Sequence, residues 1–248
     1  MIIVGDIGNT ETKICLVNSN NRIIKKINLS TKKINSSFLK KYLSKLIPKN
    51  KKIKKCLFCS VVPKTFKKIK LFFIKNYKIK CYELKNLKID KLINIKVNYK
   101  QIGSDRLANA IGICNNKDNF IILDFGTATT FDVLIKNIYR GGVIAPGLKI
   151  SLKTLADKAT LIPNIHLKKT NKVIGLNTIA AVRAGFFWGY TGLIDNIINL
   201  IKKETKKSFK IIITGGFSDL FKNSINTKVT LNKDITIKGL IKTTDLIK

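Results

Sequence analysis

Residues 1–17, MIIVGDIGNTETKICLV, set a short apolar run against Asp6, one more apolar residue, Gly8 and then a series of amide and hydroxyl side chains. Residues 120–135, FIILDFGTATTFDVLI, write the same pattern again around Asp124 and Gly126. A buried strand that ends in Asp-x-Gly and turns into a second apolar strand is a strand-turn-strand unit. At such a turn glycine lets the backbone approach an anion, successive N–H groups converge on phosphate oxygens, and Asn, Thr and Ser side chains donate further hydrogen bonds. A carboxylate at the strand end holds a cation, or its water shell, against those phosphates. A single Asp-x-Gly fits an ordinary tight hairpin equally well. Two matched copies, with TGG closing a third apolar strand at 211–216, point instead to ATP held between two lobes. Neither GxxxxGK[ST] nor GxGxxG occurs, which removes the P-loop and the Rossmann fingerprint.

Between and after the two turns, periodicity predicts a strand at 25–30, an amphipathic helix at about 36–47, the strand CLFCSVV at 56–62, a lysine-rich helix at about 64–75 and a strand near 79–84. A helix opens near Ser104, another covers about 149–157, a long one runs from about Asn177 to Lys203, and FKIIITGG forms a strand. The two halves read as duplicated α/β domains, 1–116 and 117–248, joined near Asn115–Asn119.

The chain has 248 residues, 45% of them hydrophobic, enough for one large domain or two compact ones. The net charge of +34 comes almost wholly from lysine, since Arg22, Arg106, Arg140 and Arg183 are the only arginines. Lysines fall in nearly every segment, with Ile and Asn inflated as well, which reads as compositional drift giving a solvated coat rather than a nucleic-acid face. No specific nucleic-acid partner is expected. The apolar stretch 173–194 is broken by Arg183, and no basic region precedes an apolar one at the N-terminus, so neither a membrane span nor a signal peptide is expected and the cytoplasm is the expected location. Cys56 and Cys59 form a CxxC, but with no second CxxC and only His166 to complete a zinc site they read, with Cys15, Cys81 and Cys114, as free core thiols.

The blocks DIGNTETK (6–13), GSDR (103–106), DFGTATTFD (124–132), GGVIAPGL (141–148), LIPNI (161–165) and GLNTIAAVRAG (175–185) resemble, in order and spacing, those of type III pantothenate kinases. The resemblance runs from Ile2 to about Gly239. It implies the architecture of the acetate and sugar kinases, actin and the heat-shock ATPases: two duplicated actin-like (ribonuclease H-like) lobes with an ATP cleft between them. It also implies phosphorylation of pantothenate by ATP to 4′-phosphopantothenate, the first step toward coenzyme A.

Residue by residue, the resemblance makes Asp6, Ile7, Gly8, Asn9, Thr10, Glu11, Thr12 and Lys13 the first phosphate loop, with Asp6 organising Mg²⁺ through water. Gly103, Ser104, Asp105 and Arg106 match the pantothenate segment, and Asp105 takes the place of the proton acceptor. Asp124 matches the ligand of a monovalent cation, K⁺ or NH₄⁺; Thr127 matches an ATP contact and Thr178 a pantothenate contact. The residue chemistry agrees, because phosphoryl transfer needs a positioned hydroxyl, neutralised oxygens and a carboxylate to take a proton late. Each role has a plainer counterpart: Asp105 as a helix-start carboxylate, Thr178 as the N-cap of the long helix.

This chain departs from the family in writing Ser104 where alanine is commoner and Tyr99 where proline is usual. The segment AAVRAGFFWGYTGLIDNIINLI (180–201) carries more apolar surface than one lobe needs. With the resemblance it leads to a homodimer in which Phe186, Phe187, Trp188 and Tyr190 belong to the interface or to the core beneath it. Two alternatives stand beside this reading: a nucleotide-binding regulatory protein without turnover, and a superfamily kinase for another small molecule. GSDR, with Asp6 and Asp124 both kept, argues against each.

Overall fold

The computed structural model describes residues 1–48 and 52–247. By contact the chain forms two compact units, one holding Met1–Cys114, Asn137–Tyr139 and the chain from Asp234 on, the other Asn115–Lys136 and Arg140–Lys233.

In the first unit β1 (Ile2–Ile7), β2 (Glu11–Val17) and β3 (Ile23–Ser30) form an antiparallel meander; α1 (Ser36–Leu46) then leads to β4 (Lys55–Ser60) and α2 (Pro63–Tyr77) to β5 (Cys81–Glu83). The sheet order is β3-β2-β1-β4-β5, with β4 parallel to both β1 and β5. Strand alternation decides the faces. Ile3, Ile7, Ile14, Leu16, Cys56 and Phe58 enter one core with Leu39 and Leu43 of α1 and Ile69 and Phe73 of α2. Gly5 lies over Phe58, where a Cβ would stand 2.2 Å from the ring. The opposite face carries Val4 and Asp6, and Cys59 stands in register beside Asp6.

A short strand, β6 (Asn94–Ile95), precedes α3 (Ser104–Ile113). The second unit then repeats the plan. β7 (Asn119–Phe125) pairs antiparallel with β8 (Ala128–Ile135), which is followed by β9 (Ile138–Pro146), whose first residues pair with β6. Beyond α4 (Leu148–Lys158) and α5 (Thr178–Thr205), β10 (Lys210–Gly215) lies parallel to β7; α6 (Ser218–Phe221) leads to β11 (Val229–Leu231), parallel to β10. The order β9-β8-β7-β10-β11 mirrors β3-β2-β1-β4-β5 strand for strand. The two Asp-x-Gly turns are therefore equivalent positions of a duplicated sheet.

The buried stripe of α5 is Ala184, Phe187, Thr191, Ile194, Ile198 and Ile201, spaced by threes and fours against Ile121, Leu123 and Ile213 of the sheet. Phe186, Trp188 and Tyr190 are partly buried against the same core, so this segment covers its own sheet.

The last helix, α7 (Ile235–Thr243), belongs to the first unit, although the sequence division at 117–248 assigned it, with Lys248 outside the described residues, to the C-terminal half. Packing explains the return. A Cβ on Gly239 would stand 1.8 Å from the Ala108 carbonyl oxygen and one on Gly112 2.3 Å from that of Ile235, so α3 and α7 pack backbone to backbone. The Thr236 hydroxyl donates to Asn109 Oδ1 at 2.6 Å across the same seam. Among the described residues, no helix is long and apolar enough to cross a membrane.

Candidate active site

The first turn joins β1 to β2 and is closed by Gly8 N–H donating to the Glu11 carbonyl at 3.0 Å. Its brace comes from Thr31, just past β3. The Thr31 hydroxyl donates to the Gly8 carbonyl at 2.7 Å, leaving the Thr12 hydroxyl to donate to Thr31 Oγ1 at 2.9 Å, and Thr31 N–H donates to the Thr10 carbonyl at 3.0 Å. Ile7 and Thr12 are buried, whereas Asn9, Thr10 and Glu11 are exposed. Within Asp6–Lys13, the free face of the turn is thus its tip.

Cys59 Sγ donates to Asp6 Oδ1 at 3.3 Å. Burial, then the charge of Asp6, pushes this thiol well above its ordinary range, with Asp105 and Glu83 adding to the effect. Cys59 is therefore a protonated donor to Asp6, and the reading of Cys56 and Cys59 as core thiols agrees: all five cysteines are free.

Asp105 stands in the first turn of α3, on the sheet face that carries Asp6. Its Oδ1 accepts from the Arg106 N–H at 2.8 Å, and a Cβ on Gly103 would stand 2.5 Å from that oxygen. Burial raises the Asp105 carboxyl above its ordinary value, opposed by the Arg106 N–H and the Arg106 charge. The plainer reading holds as well, since Asp105 satisfies one open N–H of the helix start.

Sequence reasoning missed Glu83. Ser104 Oγ donates to Glu83 Oε1 at 2.5 Å, and Lys85 N–H donates to Oε2 at 2.7 Å. Carboxylates are scarce, 14 against 48 lysines and arginines, so one ending a strand was the available signal. Tyr99 also has its explanation: its hydroxyl donates to the Lys85 carbonyl at 3.0 Å, and the Lys85 ammonium lies 5.4 Å from its ring centre.

In the second unit Asp124 ends β7, in register with Thr130 on β8 and Thr214 on β10. Gly126 N–H donates to the Ala128 carbonyl at 3.1 Å, the counterpart of the Gly8 bond. Gly215 has φ +86°, a region glycine adopts freely, and its missing Cβ would stand 2.6 Å from Asp124 Oδ1. Gly147 approaches more closely still, 2.0 Å from Cβ position to Thr127 carbonyl oxygen. Among the described residues the buried Thr129 and Thr130 hydroxyls have no hydrogen-bond partner. Thr178 is exposed and opens α5, but the N-cap is Asn177, whose side chain accepts from Ala180 N–H at 2.9 Å; Thr178 as N-cap is corrected. His166 is exposed.

Among the described residues no cluster of three or more His, Cys, Asp or Glu is arranged to hold a metal ion. Asp6 and Asp124, hard oxygen donors at strand ends, fit the other case, in which a cation is shared between one carboxylate, water and phosphate oxygens; the Gly215 cradle leaves Asp124 Oδ1 room for it.

The duplicated sheets define the class. Over 100% of this chain and 99% of its own, a Sinorhizobium meliloti protein assigned as a 2-dehydro-3-deoxygalactonokinase superposes with a TM-score of 0.62 at 8% identity. A Campylobacter jejuni protein assigned to the Baf family of transcriptional activators does so with a TM-score of 0.60 at 20% identity, over 98% and 97% of the two chains. At these identities the likeness concerns the fold alone, that of actin-like ATPases and sugar kinases. The sequence goes further. A family model for type III pantothenate kinase matches residues 2–200, and the chain is 79% identical over 248 residues to the type III pantothenate kinase of Pelagibacter ubique strain HTCC1062, covering 100% of each. The chain belongs to the type III pantothenate kinase family.

Proposed function

We propose that this chain phosphorylates pantothenate with ATP, yielding 4′-phosphopantothenate for coenzyme A synthesis, and that Asp105 accepts the proton of the attacking hydroxyl. The carrying observation is Asp105 in the first turn of α3, its Oδ1 fixed by the Arg106 N–H at 2.8 Å and folded over Gly103, which has no side chain to displace it.

Asp105 takes the proton late, because a loose phosphoryl-transfer transition state asks more for alignment and charge neutralisation than for early deprotonation. Arg106 pairs its planar guanidinium with the pantothenate carboxylate or with the transferring phosphoryl group. The tip of Asp6–Lys13 and Thr127 bind ATP, and Thr178 contacts pantothenate. Asp6 holds the water shell of Mg²⁺ and Asp124 the monovalent cation, K⁺ or NH₄⁺; both ions, when bound, neutralise phosphate oxygens. The five free thiols support a reducing, cytoplasmic location. Leu161, Ile174 and Leu176, 81–90% exposed, support homodimerisation through the second unit.

An ADP-release assay offering pantothenate against a panel of sugars, acetate and other small alcohols, in K⁺ and then in Na⁺, tests the reading. Turnover confined to pantothenate and dependent on K⁺ is expected; turnover with another acceptor alone overturns it.

A further inference from the structure

Glu83 ends β5 and accepts from the Lys85 N–H at 2.7 Å and from the Ser104 hydroxyl at 2.5 Å. Ser104 is 2% exposed and is the first residue of α3. Its N-cap, Gly103, supplies no side chain to the open N–H groups of that helix, of which Asp105 meets that of Arg106. The neighbouring strand provides a further hold. Lys85 adds a second grip on the approach to the helix, its ammonium donating to the Lys100 carbonyl at 3.0 Å and the Ile102 carbonyl at 2.9 Å, while Tyr99 donates back to the Lys85 carbonyl. Residues 83–85 therefore hold residues 99–104 at four points, and the next residue in the chain is Asp105.

A carboxylate is a costly way merely to join a strand to a helix, since an apolar pair of the same size avoids desolvating a charge. What a carboxylate adds is direction. Two donors fix its two oxygens, one on each, and the Ser104 hydroxyl it holds sets the rotation of the first turn of α3, on which the aim of Asp105 depends. We propose that Glu83, acting through Ser104, is a positioning residue for phosphoryl transfer: it orients the helix start that carries the proton acceptor. The inference rests on the reading of Asp105 as that acceptor.

The test is steady-state ADP release by Glu83→Gln, Ser104→Ala, the double variant and Asp105→Asn, with circular dichroism to establish folding. A glutamine at 83 turns an N–H₂ toward donors that need an acceptor. Glu83→Gln is expected to lower kcat by about tenfold or more with KM for ATP within about twofold of the parent, because misplacing a reacting group by a fraction of an ångström slows chemistry without touching nucleotide binding. Ser104→Ala should lower kcat in the same way, and the double variant should lose no more than Glu83→Gln alone, since both remove one linkage.

A folded Glu83→Gln with parental kcat overturns the proposal, as do losses that multiply in the double variant. Should Glu83→Gln fail to fold, Ser104→Ala, which keeps the volume of the site, decides: parental kcat there overturns it. Asp105→Asn separates the two readings. An inactive Asp105→Asn beside a fully active Glu83→Gln removes the positioning role alone; an active Asp105→Asn removes the proton acceptor and the positioning role with it.

Discussion

The Asp105 carboxylate folds back over Gly103, its Oδ1 lying 2.5 Å from where a Cβ on Gly103 would stand. Gly103→Ala therefore forces Asp105 into another rotamer or shifts the start of α3. We expect kcat to fall by about tenfold to a hundredfold with KM for ATP little changed, read by steady-state kinetics. Parental kcat would show that the observed rotamer is not the working one.

Asp105→Asn should lower kcat by about two to four orders of magnitude. The same substitution bears on stability. Burial raises the Asp105 carboxyl above its ordinary 3.8, so the folded state binds the proton more tightly than the unfolded chain. Its stabilising contribution is fully present below the unfolded value and is lost as pH rises through the folded one. At about pH 7.5 the ionised group weighs against folding, and Asp105→Asn should melt at a higher temperature than the parent, the gap narrowing toward about pH 4. A lower Tm at neutral pH would contradict the sign.

Asp124→Ala is expected to abolish activation by K⁺ and to weaken ATP binding, since phosphate charge would then be met by N–H groups without the cation. Kinetics in K⁺, NH₄⁺ and Na⁺ check this. A parent enzyme equally active in Na⁺ and K⁺ would remove the cation role.

Gly147→Ala places a methyl 2.0 Å from the Thr127 carbonyl oxygen and 3.0 Å from that of Gly126. Backbone must move, and the part that moves is the second turn. KM for ATP should rise severalfold, to about tenfold, while the fluorescence of Trp188 reports an intact fold. Unchanged KM would mean that the turn does not contact nucleotide.

Leu161, Ile174 and Leu176 are each more than 80% exposed, unlike Phe187 and its neighbours on α5. If they are the dimer face, Leu176→Glu should convert a dimer into a species near the chain mass of 27.9 kDa in sedimentation equilibrium. A parent chain that sediments as an active monomer would end the dimer reading.

Strands, turns and the two strand-end carboxylates were legible in the sequence because each is a local pattern. Period-two burial marks a strand, Asp-x-Gly marks its end, and repetition of the pattern announced a duplication that the sheet orders display. The helix start at Ser104 was legible for the same reason, whereas the role of GSDR came only from its resemblance to the family's segment. The sequence could not say that Asn177 rather than Thr178 caps α5, because both residue types cap and only backbone geometry chooses between them. Nor could it show Glu83 beneath Ser104, Cys59 beside Asp6, or α7 returning to α3 through Gly112 and Gly239. Those pairs are separated by 21, 53 and more than 100 residues, and their meeting depends on strand register and helix approach, which are fixed by the packing of the whole unit and by no short window of the chain.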